Sequence, residues 1–348
     1  MGGGPSTKPE HLLITLPFPE PVEIIQRIKK AHPQVQVTFV NVAIGETPLT
    51  RRSGLDDELI HFFSAGTNHI ADHPIYTDSK ITLTTSSGIH GPQISEWVIM
   101  TSLVANHQYN TLHHWQLAHN WNKTGSGRLR TVRDNVGMRF GVLGYGSIGR
   151  QTARVAKAMG MDVIAYTASP RKTPESKKDT GFIVPGTGDP EGEIPSAWYS
   201  GLDKESLHNF LGQNIDYLLI SVPLTKETHH LIDAEALEIL GKHKAFITNI
   251  SRGQIIKQDD LIAALKKGAE DPESTTGGLK GAALDVTDPE PLPADDPLWD
   301  APNCIITPHI SGLGQAYADR AFQVFEVNLS NKEEGKKLIN VVDRERGY

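Results

Sequence analysis

Apolar residues along this chain fall into short runs that alternate with stretches where they recur at helical spacing. Residues 12–16 form one such run and predict a strand. Residues 20–31 place Val22, Ile25 and Ile28 on one face of a helix, and 35–40 predict a second strand. A tight loop is expected at Ser64-Ala65-Gly66-Thr67-Asn68 and a further strand over 81–85. Residues 94–121 carry little punctuation and predict one long helix, suited to connecting two domains.

Residues 139–143 predict a strand that Gly144-Tyr145-Gly146-Ser147-Ile148-Gly149 breaks sharply, with a helix over 151–159 and a strand over 162–166 to follow. Strand-like runs recur at 217–221, 245–249, 281–284 and 304–307, and helical segments at 205–211, 234–240 and 260–267 separate the earlier ones. This alternation predicts an α/β protein with a parallel, doubly wound sheet. Residues 173–201 break the rhythm. Rich in Gly, Pro and charge, they read as a mobile surface insertion, with a dimer or cofactor-edge contact as the alternative.

A length of 348 residues exceeds one ordinary core and suits two domains. The hydrophobic fraction of 38% fits a soluble globular chain, and the net charge of -7 argues against a nucleic-acid binder, which would show a basic face. A single cysteine, Cys304, excludes an internal disulfide framework and suits a reducing compartment. No apolar run approaches the ~18 residues of a membrane span. Met1-Gly2-Gly3-Gly4-Pro5-Ser6 formally fits a myristoylation pattern, but no polybasic patch follows, so a flexible leader is the plainer reading. A cytoplasmic location without membrane or nucleic-acid partners is expected.

The glycine loop carries the first chemical signal. After a strand and before a helix, Gly144 suits the turn, Gly146 lets backbone approach a pyrophosphate, and Gly149 permits close helix–strand packing. The amides of Ser147 and Ile148 would then point from a helix N-terminus toward negative charge. Further on, Thr248-Asn249-Ile250-Ser251-Arg252-Gly253 ends a strand with an arginine at the sheet edge where α/β folds place ligands. An arginine there can clamp an anionic substrate through paired hydrogen bonds. His309 follows Thr307-Pro308 just past the last strand and can donate the proton that a reduced carbonyl needs. Glu290 can hold its imidazole in orientation and favour its charged form.

With these motifs in order, the chain resembles the D-2-hydroxyacid dehydrogenase family, and within it the glyoxylate/hydroxypyruvate reductases. Ser64-Ala65-Gly66, Ser87-Gly88-Ile89-His90, the glycine loop, Val222-Pro223-Leu224-Thr225, Ser251-Arg252-Gly253, Asp285 with Glu290-Pro291-Leu292, Thr307-Pro308-His309 and Leu338-Ile339-Asn340-Val341-Val342-Asp343 carry the resemblance. It implies Arg252, Glu290 and His309 as the catalytic set, with Asp285 beside the nicotinamide. The Ala65 and Gly66 backbone, Arg252 and His309 would bind the substrate. Cofactor contacts are implied for the glycine loop (Gly144 to Gly149), Val222, Pro223, Thr228, Ile250, Ser251, Asp285, His309 and Gly312. No metal is implied. The resemblance also implies a Rossmann dinucleotide domain over 113–315 inserted into a flavodoxin-like substrate domain built from 1–112 and 316–348, and a homodimer through the dinucleotide domain. Two departures from the family's pattern stand out: a short interval between Val40 and Phe62, and a long 173–201 segment.

The expected reaction is reduction of a small 2-oxo acid to its D-2-hydroxy acid. A corepressor-like dinucleotide sensor on the same fold is the alternative, since such proteins can keep the same catalytic residues. Cofactor choice is read from the strand ending at Tyr166. NAD-dependent enzymes of this fold carry an acidic residue ~20 positions beyond the glycine loop for the ribose hydroxyls. Here Tyr166-Thr167-Ala168-Ser169-Pro170-Arg171-Lys172-Thr173 holds no carboxylate. Ser169 can hydrogen-bond a 2′-phosphate, and Arg171 and Lys172 can neutralise it. NADP(H) is therefore expected to be preferred, with NAD(H) possible.

Overall fold

The computed structural model describes residues 10–16, 19–41, 59–67, 70–122, 132–270 and 277–344. Contacts divide the chain into two compact units, Met1–Ser86 with Ala316–Tyr348, and Ser87–Gln315. In the first unit, β1 (Glu10–Leu16), α1 (Val22–Ala31) and β2 (Val35–Asn41) are followed by β3 (Leu59–Phe62), α2 (Pro74–Thr77) and β4 (Thr82–Thr85). β1 pairs in parallel with β2, and β3 with β4, as two separate ladders. Most of the interval between Val40 and Phe62 (residues 42–58), expected to be short, lies outside the described residues.

The second unit opens with α3 (Gly91–Asn106) and α4 (Tyr109–Leu117). The single long helix expected over 94–121 is thus two, because Gln108 adopts φ 54 and turns the backbone left-handed between them. α3 belongs to this unit, so the first boundary falls at Ser86 and not at the expected residue 112. The reason is packing: Ile94, Trp97 and Val98 of α3 share one core with the strands that carry the glycine loop.

The unit continues through β5 (Arg139–Leu143), α5 (Ser147–Ala158), β6 (Asp162–Thr167), α6 (Pro174–Lys177), β7 (Ala197–Ser200), α7 (Lys204–Leu211), β8 (Tyr217–Ile220), α8 (Ala234–Gly241), β9 (Phe246–Asn249), α9 (Gln258–Glu270), β10 (Gly281–Leu284) and β11 (Cys304–Ile306). α10 (Tyr317–Glu333) returns to the first unit, where Phe322, Phe325 and Leu329 pack on Ile14, Leu16, Ile25 and Ile28. The seven strands from β5 to β11 form one sheet in the order β11-β10-β9-β8-β5-β6-β7, with every pairing parallel.

Side chains alternate across this sheet with the period of a strand. Phe140, Val142, Val163, Ala165, Tyr217 and Leu219 enter one core, while Leu143, Ile164, Tyr166, Leu218 and Ile220 enter the other. α3 and α5 supply Trp97, Val98, Ala153 and Ala156 to the first core, and α7, α8 and α9 supply Phe210, Leu237 and Leu265 to the second. Burial on both faces is why these strands read as continuous apolar runs. The order reverses between β5 and β8, and this switch point is where open α/β sheets leave a crevice for a ligand.

The expected mobile insertion at 173–201 is instead an ordered part of the unit. Its end forms β7, which pairs with β6 from Ile164–Ala197 to Thr167–Ser200. Its middle is fastened by Arg150, which is 4% exposed and donates to the carbonyls of Lys177 and Asp189 at 2.6 Å each. Buried cations and carboxylates are costly unless hydrogen-bonded, so these contacts determine one conformation. No local periodicity announces a tether of this kind.

Candidate active site

Six strand ends present the sequence-selected residues of this unit. The glycine loop follows β5, Ser169 to Lys172 follow β6, Val222 to Thr228 follow β8, and Ile250 to Arg252 follow β9. Asp285 to Glu290 follow β10, and Thr307 to Gly312 follow β11. Because all pairings are parallel, these carboxyl ends share one edge of the sheet. Ala65 and Gly66 belong to the other unit, just after β3, where the Ser64 hydroxyl donates to the Gly66 carbonyl at 2.8 Å.

The three glycines of the loop differ in what a side chain would meet. Gly144 has φ 101, and a Cβ there would lie 2.7 Å from the backbone of Ser221 at the end of β8. A Cβ on Gly149 would lie 2.5 Å from the Gly144 carbonyl oxygen, so helix and loop approach as closely as backbone allows. Around Gly146, by contrast, nothing comes within 4 Å of that position. Gly146 is also the N-cap of α5 and makes no side-chain cap, so the open space lies at the start of the helix. An anionic group fits that opening.

Tyr145, expected among the cofactor contacts, turns its side chain away from the opening into the core. Its hydroxyl donates to Asp189 at 2.8 Å, and burial together with that carboxylate pushes the phenol well above its usual range. Ser251 and Thr228 likewise use their hydroxyls internally, donating to Ile220 O at 3.2 Å and Pro223 O at 2.7 Å. Ile250 is buried, and the Gly312 carbonyl accepts from Gln93 at 3.0 Å. Ser169, Arg171 and Lys172 are exposed beyond β6, with Arg171 Nη1 donating to the Ser176 carbonyl at 2.6 Å.

Arg252 lies half-buried at the end of β9, its Nη1 donating to Ser251 O at 2.6 Å. Burial lowers its pKa, and the charge of Glu290 opposes that shift. The two are brought together by Gly253, where a Cβ would fall 2.0 Å from the Thr287 carbonyl. Only glycine lets the arginine-bearing turn pack directly on the strand end that leads to Glu290. Gln254 adds a hydrogen bond to Asp288 at 3.0 Å across the same seam.

His309 and Glu290 meet at 2.7 Å, Nδ1 to Oε1. Both side chains are exposed, at 47% and 40%, so the pair adds little to stability, roughly 0–1 kcal/mol, and serves to orient the ring. His309 adopts φ 54, unusual for a residue with a side chain, and its amide donates to the carbonyls of Asp285 and Thr307. Asp285 is 2% exposed, and both of its oxygens serve the loop carrying His309. Thr307 Oγ1 and Ile310 N donate to one; Ser311 N and Oγ donate to the other. The Asp285 side chain therefore braces the histidine loop. Sequence reasoning missed this, and missed Arg150 and Asp189, because no motif marks a residue whose partners are distant in sequence.

The sequence profile of the D-isomer specific 2-hydroxyacid dehydrogenase NAD binding domain matches residues 99–184 and 189–311, and the chain belongs to that family. The two matched spans are separated at 185–188, within the 173–201 segment. A glyoxylate reductase of Korarchaeum cryptofilum is 31% identical over 212 residues, covering 61% of this chain and 54% of that protein. A hydroxypyruvate reductase of Blautia hydrogenotrophica is 32% identical over 208 residues, covering 60% and 54%. The chain thus spans about half the length of these curated relatives. Among solved structures, a D-isomer specific 2-hydroxyacid dehydrogenase family protein of Aeromonas salmonicida superposes with a TM-score of 0.71 at 26% identity, covering 97% of this chain and 100% of that one. The two-domain α/β fold with its parallel Rossmann-type sheet agrees with that likeness. Among the described residues, no helix is long and apolar enough to cross a membrane.

Proposed function

We propose that this protein reduces a small 2-oxo acid, glyoxylate or hydroxypyruvate in class, to the D-2-hydroxy acid with a nicotinamide cofactor. The observation that carries the reading is the His309–Glu290 pair, with Arg252 beside Glu290, on the same sheet edge as an open glycine loop. The relatives named glyoxylate reductase and hydroxypyruvate reductase support the substrate class.

The open position at Gly146 and the uncapped start of α5 fit a dinucleotide pyrophosphate. When bound, the nicotinamide supplies the hydride that reduces C2. Arg252 pairs with the substrate carboxylate and polarises the oxo group. Glu290 holds His309 at Nδ1, which leaves Nε2 to give its proton to the oxygen that becomes the hydroxyl. The family resemblance extends the reading to a homodimer through the dinucleotide unit in the cytoplasm. Steady-state turnover on a panel of 2-oxo acids with both cofactors tests it. Background rates on every acid would favour a dinucleotide sensor.

NADPH is the preferred cofactor in this reading. Ser169, Arg171 and Lys172 are exposed together beyond β6, and no carboxylate occupies 166–173. Arg171→Ala should raise KM for NADPH by roughly tenfold, the scale of one lost charge-assisted hydrogen bond, and leave that for NADH nearly unchanged. A wild-type kcat/KM higher with NADH would overturn the preference and leave the catalytic assignment standing.

A further inference from the structure

We propose that residues 177–194 brace the glycine loop from outside, and that Asp189 and Arg150 are positioning residues for dinucleotide binding. The proposal rests on the reading that this loop cradles a nicotinamide dinucleotide. The cradle itself is Gly146 to Gly149, and the segment grips the residue on either side of it. Before the cradle, Tyr145 donates its hydroxyl to Asp189 at 2.8 Å, and its ring meets Trp198 edge-on with centroids 4.9 Å apart. After it, the Arg150 guanidinium lies 5.1 Å from the Tyr145 ring centre and donates to the carbonyls of Lys177 and Asp189. Arg150 Nε also approaches Asp179 at 3.6 Å.

Asp189 joins these two grips. Its carboxylate, on a residue 5% exposed, accepts from Tyr145, from Glu193 N at 3.1 Å and from Ile194 N at 3.1 Å. Its backbone carbonyl takes Arg150. Gln151 extends the attachment by one residue, accepting from Gly188 N at 2.7 Å. A loop containing three glycines has more backbone freedom than other sequences, and amides aimed at a phosphate must lose that freedom before or during binding. The brace removes it beforehand, which is preorganisation of a binding site by a segment that need not touch the ligand. Since the cradle serves the pyrophosphate common to both cofactors, the brace acts on NADPH and NADH alike, unlike Arg171.

The test measures Kd for NADPH and NADH by fluorescence quenching in the wild type, Tyr145→Phe, Asp189→Asn and the double variant. Hydrogen exchange of amides 145–150 in the cofactor-free chain accompanies it. Each single variant should raise both Kd values by roughly three- to tenfold, the scale of one buried hydrogen bond, and speed exchange across 145–150. For Asp189→Asn, kcat at saturating cofactor and hydroxypyruvate should change less than about twofold, because the reacting groups are elsewhere. The double variant should be little weaker than Asp189→Asn alone, since the two residues share one contact. If Asp189→Asn does not fold, Tyr145→Phe decides, because it removes one oxygen and leaves Asp189 both backbone donors. Unchanged Kd values and exchange in a wild type that binds dinucleotide would overturn the brace alone. An effect confined to NADPH would do the same. A wild type that binds neither cofactor would overturn the dinucleotide reading and the brace with it.

Discussion

Replacing His309 with alanine is expected to lower kcat by roughly two to four decades, the range for loss of a positioned general acid. Nucleotide affinity should be nearly unchanged, because Asp285 still receives Thr307, Ile310 and Ser311 and so still holds the loop. The imidazole is the proton source in this account: Glu290 takes Nδ1 at 2.7 Å, and the left-handed backbone at His309 sets where Nε2 points. Such a backbone conformation persists only where its surroundings enforce it, and here two carbonyls accept the same amide. Parallel measurements of kcat and of Kd for NADPH check the result. Turnover near wild type would remove His309 from the proton-transfer role.

Arg252→Lys is the second large effect. Charge is conserved, yet kcat/KM should fall by roughly a hundredfold or more, about 2.7 kcal/mol in transition-state stabilisation. A guanidinium presents a planar fork that meets carboxylate and oxo group together, whereas an ammonium is a compact point charge. The site is half-buried beside Glu290, where a more strongly hydrated ammonium is also harder to desolvate. The loss should appear in both kcat and KM, since Arg252 binds the ground state and polarises the reacting bond. Unchanged values of both constants would return Arg252 to a solvated turn.

Legibility in the sequence followed the range of the interactions involved. β5, β6, β8, β9 and β10 were readable because strands buried on both faces carry unbroken apolar runs, and the helices between them have their own period. The glycine loop was readable because three different steric demands fall within six residues. Glu290 and His309 could be paired from motif order alone, but the approach of Arg252 to Glu290 depends on Gly253 packing on Thr287, a contact between strand ends.

What stayed hidden depends on partners far apart in the chain. β7 follows a segment rich in glycine, proline and charge, and it is ordered by Arg150 and Asp189, which local composition cannot reveal. The Gln108 break between α3 and α4 carries no glycine or proline to announce it. The resemblance implies Asp285 beside the nicotinamide, and what no motif reveals is that Thr307, Ile310 and Ser311, beyond β11, occupy both of its carboxylate oxygens.

The most direct measurement is the identity of the product. The purified chain incubated with NADPH and hydroxypyruvate should oxidise the cofactor with one glycerate formed per NADPH consumed, and chiral chromatography should show the D enantiomer. Formation of the L enantiomer, or no consumption of NADPH or NADH above background by a chain that binds them, would contradict the account.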